Sequence, residues 1–116
     1  MKSWLIKTSA PLCGTDQYYG AYAKDIDLLL DWLYENWFDQ ECQDLWDNYS
    51  FYMHFEEEWD EMSEDDKEEF GNDYDCFIDS KYEEWCCECS LSVSECHEDK
   101  FYASDGTHLE IVYDGR

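Results

Sequence analysis

From Glu56 to Glu69 the chain places ten acids and one lysine in fourteen residues, Glu56-Glu57-Glu58-Trp59-Asp60-Glu61-Met62-Ser63-Glu64-Asp65-Asp66-Lys67-Glu68-Glu69. A segment of that composition has to be surface, because ionised carboxylates leave water only when they are paired. The apolar residues that punctuate it must hold it to the rest of the protein. Phe51, Phe55, Trp59 and Met62 supply an inner face at helical spacing. Ser63 with Asp66 three positions later resembles an N-cap box with Asp in place of Glu, so two short helices ending before Gly71 are expected. Read as one continuous helix the run would span about 21 Å, at about 1.5 Å per residue. Its net charge of -9 would then fall about every 2.3 Å, close to the one charge per about 1.7 Å of axis in duplex DNA.

The run belongs to a wider imbalance. The 116 residues include 31 Asp and Glu against 7 Lys and Arg, a formal charge of -24. Residues 1–24 are mildly basic at +2, residues 25–100 carry -24, and residues 101–116 carry -2. Such a chain is repelled by nucleic-acid phosphates and by anionic membrane surfaces, which excludes direct binding to either. Acidic chains with few aromatics are often disordered. Here 6 Trp, 10 Tyr and 6 Phe are enough to build a core, and the length fits one acidic α+β domain over 1–116. The first apolar run, Trp4-Leu5-Ile6, is broken by Lys7, and no apolar stretch approaches a membrane span, so a cytoplasmic protein is expected.

Ser3 to Thr8 reads as a strand, Pro11 to Asp16 as a turn and Tyr18 to Ala23 as the returning strand of a hairpin. Asp25 is placed to cap a helix in which Ile26, Leu29, Leu30, Leu33, Trp37, Leu45 and Tyr49 recur near helical spacing, with a break along the way. Asp27, Asp31, Glu35, Asp39, Asp44 and Asp47 fall mostly on its other face. Tyr82 to Val93 alternates, with Trp85, Cys87, Cys89, Leu91 and Val93 on one side, which predicts a strand that buries two thiols. Lys100 to Ala103 and Thr107 to Tyr113 flank Ser104-Asp105-Gly106, a hairpin signal. The expected architecture is α+β, a small antiparallel sheet of about five strands with N- and C-terminal hairpins and helices packed on one face.

The charge exceeds what solubility requires, since a magnitude of about 2–8 suffices for a small domain and more opposes folding. A surface for a basic partner is therefore expected, built from Asp44 and Asp47 together with Glu56, Glu57, Glu58, Asp60, Glu61, Glu64, Asp65, Asp66, Glu68 and Glu69. Carboxylates pair with arginine forks as phosphate oxygens do, and such association is fast and salt-sensitive. Trp37, Phe38, Trp46, Tyr52 and Trp59 are the aromatic candidates for anchors, with a core role favoured for each.

Small size, extreme acidity and a retained aromatic core together resemble phage-encoded anti-defence proteins of the DNA-mimic anti-restriction and anti-CRISPR type. The opening Trp4-Leu5-Ile6-Lys7, followed by Pro11-Leu12-Cys13-Gly14-Thr15-Asp16, is similar to small phage proteins that begin with a strand and a Pro-x-Cys-Gly-Thr turn. The resemblance covers about 20 residues, carries over no functional residue, and implies a target class. That class is a basic nucleic-acid-binding protein such as a Cas9-type CRISPR effector or another defence nuclease, blocked at its DNA-binding channel. The alternatives are an immunity or antitoxin-type inhibitor of a toxin nuclease, and a small cysteine-based metal-binding module. The sequence leaves the oligomeric state open.

Seven cysteines without an export signal favour reduced thiols over a disulfide framework. Cys86-x-x-Cys89 with Cys96 and His97 are the zinc candidates. Their spacing is short for a ribbon or finger, and on a strand Cys86 and Cys89 would point to opposite faces, so buried thiols are favoured and no cofactor is expected. Asp73-x-Asp75 lacks the glycine and closing glutamate of an EF-hand. His54, His97 and His108 have no nucleophile partner, and no phosphate-binding glycine loop is present, so the chain does not read as an enzyme.

Overall fold

The computed structural model describes residues 1–11 and 16–116. Strands β1 (Lys2–Ser9) and β2 (Gln17–Ala23) form the expected antiparallel hairpin, with Trp4 opposite Ala21 and Thr8 opposite Gln17. Residues 12–15 of the predicted turn lie outside the described residues. Along β1 the even residues Trp4, Ile6 and Thr8 are buried, the period of two that sets a strand's faces.

Asp25 takes extended backbone and accepts from the Leu28 amide at 2.8 Å, capping α1 (Ile26–Asn36). Leu29 and Leu33 of α1 are fully buried against Trp4, Ile6, Ala21 and Ala23. At Trp37 the backbone leaves helical geometry, which is the expected break, and α2 (Phe38–Tyr49) starts in a new direction. A 3-10 turn (Ser50–Met53) follows, then α3 (Phe55–Glu61), α4 (Glu64–Glu68) and α5 (Tyr74–Glu88). The chain returns through β3 (Ser90–Cys96), a second 3-10 turn (Glu98–Phe101) and β4 (Ile111–Asp114).

The fold is α+β, with a four-stranded mixed sheet in the order β3-β1-β2-β4 rather than about five antiparallel strands. β3 runs antiparallel to β1 and β4 runs parallel to β2. Two sequence expectations fail for identifiable reasons. Tyr82 to Glu88 is helix, capped by the Asp73 side chain on the Asp75 amide at 3.0 Å, and only the part from Ser90 is strand. Phe77, Lys81, Trp85 and Cys89 lie four apart, a separation that satisfies both the helical and the strand period. Cys87, which only the strand period places inside, is exposed, and the buried thiols are Cys89 and Cys42.

The C-terminal hairpin reduces to its turn. Ala103 donates to Thr107 at 2.8 Å and Gly106 to Ala103 at 2.9 Å, but the flanking pairing is the single bridge Tyr102–His108. Phe101 instead turns inward and is fully buried on the second face of the sheet over Gly20. A Cβ on Gly20 would meet the Cδ1 tip of Ile111 at 2.7 Å and the Phe101 ring at 3.0 Å, so a larger residue here would push both side chains aside.

The molecule is elongated, 57 × 31 × 15 Å with a radius of gyration of 18.0 Å, against about 13 Å for a compact chain of this length. α1 packs on the sheet, and α2 leads away from it to α5, where Cys42, Leu45, Trp85 and Cys89 form a second core. Glu41 pins the two parts together. It is 5% exposed, accepts Thr8 Oγ1 at 3.1 Å and Tyr19 Oη at 2.7 Å, and was not singled out by the sequence. Burial, followed by this hydrogen bond, pushes the Tyr19 phenol up.

Candidate functional site

The inner faces of α3 and α5 are aromatic. Trp59 lies 5.3–6.4 Å from Phe70, Tyr74 and Phe77, measured between ring centroids. Trp46 of α2 stacks on Phe55 at 5.5 Å and meets Tyr82 and Trp85 edge-on at 5.2 and 5.5 Å. Edge-to-face packing of this kind contributes about 0.5–1.5 kcal/mol per pair beyond area burial. It fixes the helices that carry the acids.

Ser63 accepts from the Asp66 amide at 3.2 Å and starts α4, as its spacing predicted. The acidic run is therefore two helices separated by the extended residue Met62, and the single 21 Å rod of even charge spacing is not formed. Glu56, Glu57 and Glu58 occupy the first turn of α3, and Glu64, Asp65 and Asp66 the first turn of α4, where the helix dipole favours negative charge. Asp60 and Glu61 crowd the C-terminal turn of α3, where it does not.

All twelve acids expected to bind a partner are exposed. Of these twelve, Glu58 alone joins an ion pair with a described residue, Lys81 Nζ at 3.1 Å. The structure divides the group. Ten lie on and beside α3 and α4, whereas Asp44 lines a small cleft with Gln17, Tyr19 and Glu41 at the junction with the sheet. Asp44 and Asp47 accept from Gln40 and Gln43 at 3.0 and 2.9 Å along α2. Asp75, Asp79, Glu83, Glu84 and Glu88 of α5 are also exposed. Sequence reasoning missed them because it assigned no element to residues 72–81 and read Tyr82 to Val93 as a strand; the spacing Phe77-Lys81-Trp85 was the signal.

Of the aromatic candidates, Trp37, Phe38, Trp46 and Trp59 are half-buried and packed against other rings or core residues, whereas Tyr52 is 57% exposed. Phe51 was expected on the inner face and is 62% exposed. His54 takes a left-handed conformation (φ 55°) between the 3-10 turn and α3. That residue breaks the helical phase between Tyr49 and Phe55, leaving Phe51 outside.

The zinc candidates separate. Cys86 and Cys89, one helical turn apart, gather with Cys42 where α5 meets α2, contrary to the strand reading that set them on opposite faces. Cys96 and His97 lie at the far end of β3, about 20 Å further along the strand. Among the described residues no group of three or more His, Cys, Asp or Glu is arranged to hold a metal ion, and the six described cysteines are free thiols. The hydrogen bond with Cys89, then burial, pushes the Cys42 thiol up, and burial does the same to Cys86. Burial and the hydrogen bond with Cys86 push the Tyr82 phenol up to about 12. The same hydrogen bond with Cys42 holds the Cys89 thiol below its ordinary value, whereas Cys42, Cys86 and Tyr82 are neutral packing elements at pH 7.

No helix among the described residues is long and apolar enough to cross a membrane. No family model, curated protein or solved structure matches the chain.

Proposed function

We propose that this chain is a non-enzymatic inhibitor that binds the basic nucleic-acid channel of a defence nuclease through its acidic helical face and blocks DNA binding. The target class implied by the resemblance is a Cas9-type CRISPR effector. The observation that carries this reading is the disposition of the ten carboxylates from Glu56 to Glu69. All are exposed on or beside α3 and α4, which Trp59 of α3 and Phe70 after α4 hold against α5, and of these ten Glu58 alone is paired with a cation among the described residues. A surface of this kind presents fixed anionic oxygens as a phosphate backbone does, and Lys- and Arg-lined channels that hold duplexes or heteroduplexes are its complement.

The test is target-DNA binding by guide-loaded Cas9-type effectors, titrated with this protein over a salt series. Bound DNA should be displaced at low salt and regained as salt rises. Charge reversal within Glu56–Glu69 should weaken inhibition more than reversal of Asp105, Glu110 and Asp114; equal effects would mean that net charge acts and the face does not. An effector that keeps its DNA while saturated with this protein would refute the mimicry.

A further inference from the structure

A cleft of about 510 Å³ opens between the 3-10 turn, the start of α3 and the N-terminal half of α5. Its size falls within the range of about 300–1,000 Å³ usual for ligand clefts. Trp46, Phe55 and Ile78 line its apolar part, while Glu56, Glu57 and Asp75 supply carboxylates. Among the described residues no cation pairs with those three carboxylates. Phe51, the most exposed large apolar residue of the described chain, completes the wall. A second cleft of about 280 Å³ adjoins it, lined by Trp59 and Asp60 and sharing Glu56 and Tyr74 with the first. Burial, then the negative fields of Glu56, Asp60 and Asp75, push the Tyr74 phenol up. Glu56, Asp60 and Asp75, from both clefts, thus converge on this one ring.

Rings beside unpaired carboxylates select among ligands. A neutral apolar group gains burial but strips water from carboxylates it cannot satisfy. An ammonium answers the charge as a compact, strongly hydrated point. A guanidinium does more, because its plane lies flat on a ring while its in-plane N–H groups fork onto carboxylate oxygens. The molecule uses the same chemistry for its own cations. Arg116 lies 3.8 Å from the centroid of Tyr22 while its Nε and Nη2 each donate to Asp114 at 3.0 Å. Lys81 sits 5.4 Å from the Phe77 centroid and 3.1 Å from Glu58.

We infer that the two adjoining clefts are arginine-receiving sites, which anchor a basic segment of the partner by stacking guanidinium groups on Phe51 and neighbouring rings and pairing them with Glu56, Glu57 and Asp75. The inference rests on the acidic face being a partner surface; it adds where on that face affinity concentrates and which side chain it takes. Two clefts with a shared wall suit a segment with two arginines close in sequence.

Octa-arginine and octa-lysine peptides, equal in length and charge, test it by calorimetry and by the indole signals of Trp46 and Trp59. Octa-arginine should bind about 10-fold tighter, a difference of about 1.4 kcal/mol, and shift both indoles. Phe51→Ala, at an exposed position where folding is not at stake, and Glu57→Gln should reduce that preference to about 2-fold. Glu64→Gln, outside both clefts, should lower both affinities alike and keep the preference. Equal binding of the two peptides, or a preference that survives Phe51→Ala, overturns the arginine sites while leaving the acidic face intact as a general polyanion surface. If neither peptide binds at low salt, the partner-surface reading falls with it.

Discussion

The sheet half and the helical half of this molecule solve opposite problems. Around the sheet, Ile6, Ala21, Leu29, Leu33 and Phe101 are sealed from water, the residues outside 38–89 carry only -6 of the -24, and three of their acids are paired, Glu95 with Lys2, Asp16 with Lys7 and Asp114 with Arg116. Hydrogen bonds to Ser9, Thr107 and Arg116 hold the carboxyls of Asp16, Asp105 and Asp114 below the usual range. A carboxyl shifted down stabilises the fold above its unfolded value near 3.8 and loses that contribution as pH falls through its folded value. Residues 38–89 carry 20 acids against Lys67 and Lys81, a net of -18 out of -24. There, rings, with Phe77 and Trp85 buried and Trp46 and Trp59 half-buried, do most of the packing in place of an aliphatic core, and an elongated outline spreads like charges apart. One half is optimised for stability, and the other holds a surface that opposes its own folding.

If the halves differ in this way, the deepest ring of the helical half should be its weakest point. Trp85 is 2% exposed and joins α5 to Cys42 and Leu45 of α2. Trp85→Ala should cost about 3–5 kcal/mol, a large part of the roughly 5–15 kcal/mol of a typical domain. Hydrogen exchange should rise in α2 and α5 well before β1 and β2. Uniform loss of protection would show that the two halves unfold as one unit. Among the described residues the Trp85 indole N–H has no hydrogen-bond partner, so Trp85→Phe, which removes it, should cost far less than Trp85→Ala.

The link between the halves is the next largest effect. Glu41→Ala leaves the Thr8 and Tyr19 hydroxyls without their acceptor and should cost about 2–3 kcal/mol in denaturant unfolding. Glu41→Gln, which still accepts through its carbonyl oxygen, should recover part of it. A neutral Glu41→Ala would mean that the packing of Trp37 on Tyr19, with ring centroids 5.0 Å apart, is what holds the halves together.

The same division decides what was legible in the sequence. The Asp25 and Ser63 caps and the N-terminal hairpin are written in neighbouring residues, so local spacing suffices to find them, whereas the helix break was expected without a position and the structure puts it at Trp37. α5 was half lost because Trp85 and Cys89, four apart, fit both periods. The parallel pairing of β4 with β2 depends on Phe101 finding Gly20, a contact between residues 81 positions apart that no local pattern encodes. Of the site, the outward carboxylates were readable because charge alone forbids burying them. The cleft was not, because it requires the left-handed His54 to expose Phe51 and the true helix of α5 to supply Asp75.

The smallest effect tests whether the acidic face is strained by placement or only by total charge. Glu61 ends α3, a helix with no basic residue in its last turn. Its carboxylate opposes the helix dipole and lies one turn beyond Glu57. Glu61→Lys reverses both terms, the dipole contribution of about 0.3–1 kcal/mol and an i,i+4 pair of about 0.2–0.5 kcal/mol in its favourable order. The urea midpoint at low salt should therefore rise by the equivalent of about 1 kcal/mol, and the gain should disappear near 1 M salt, where the screening length is about 3 Å. Glu110→Lys makes the same change in net charge outside any helix of the sheet half and should give a few tenths at most. Equal gains at the two positions would assign the strain to net charge. A gain confined to Glu61→Lys would show that the helical half keeps its carboxylates where they locally oppose the fold, which is the expected cost of a surface shaped for a partner.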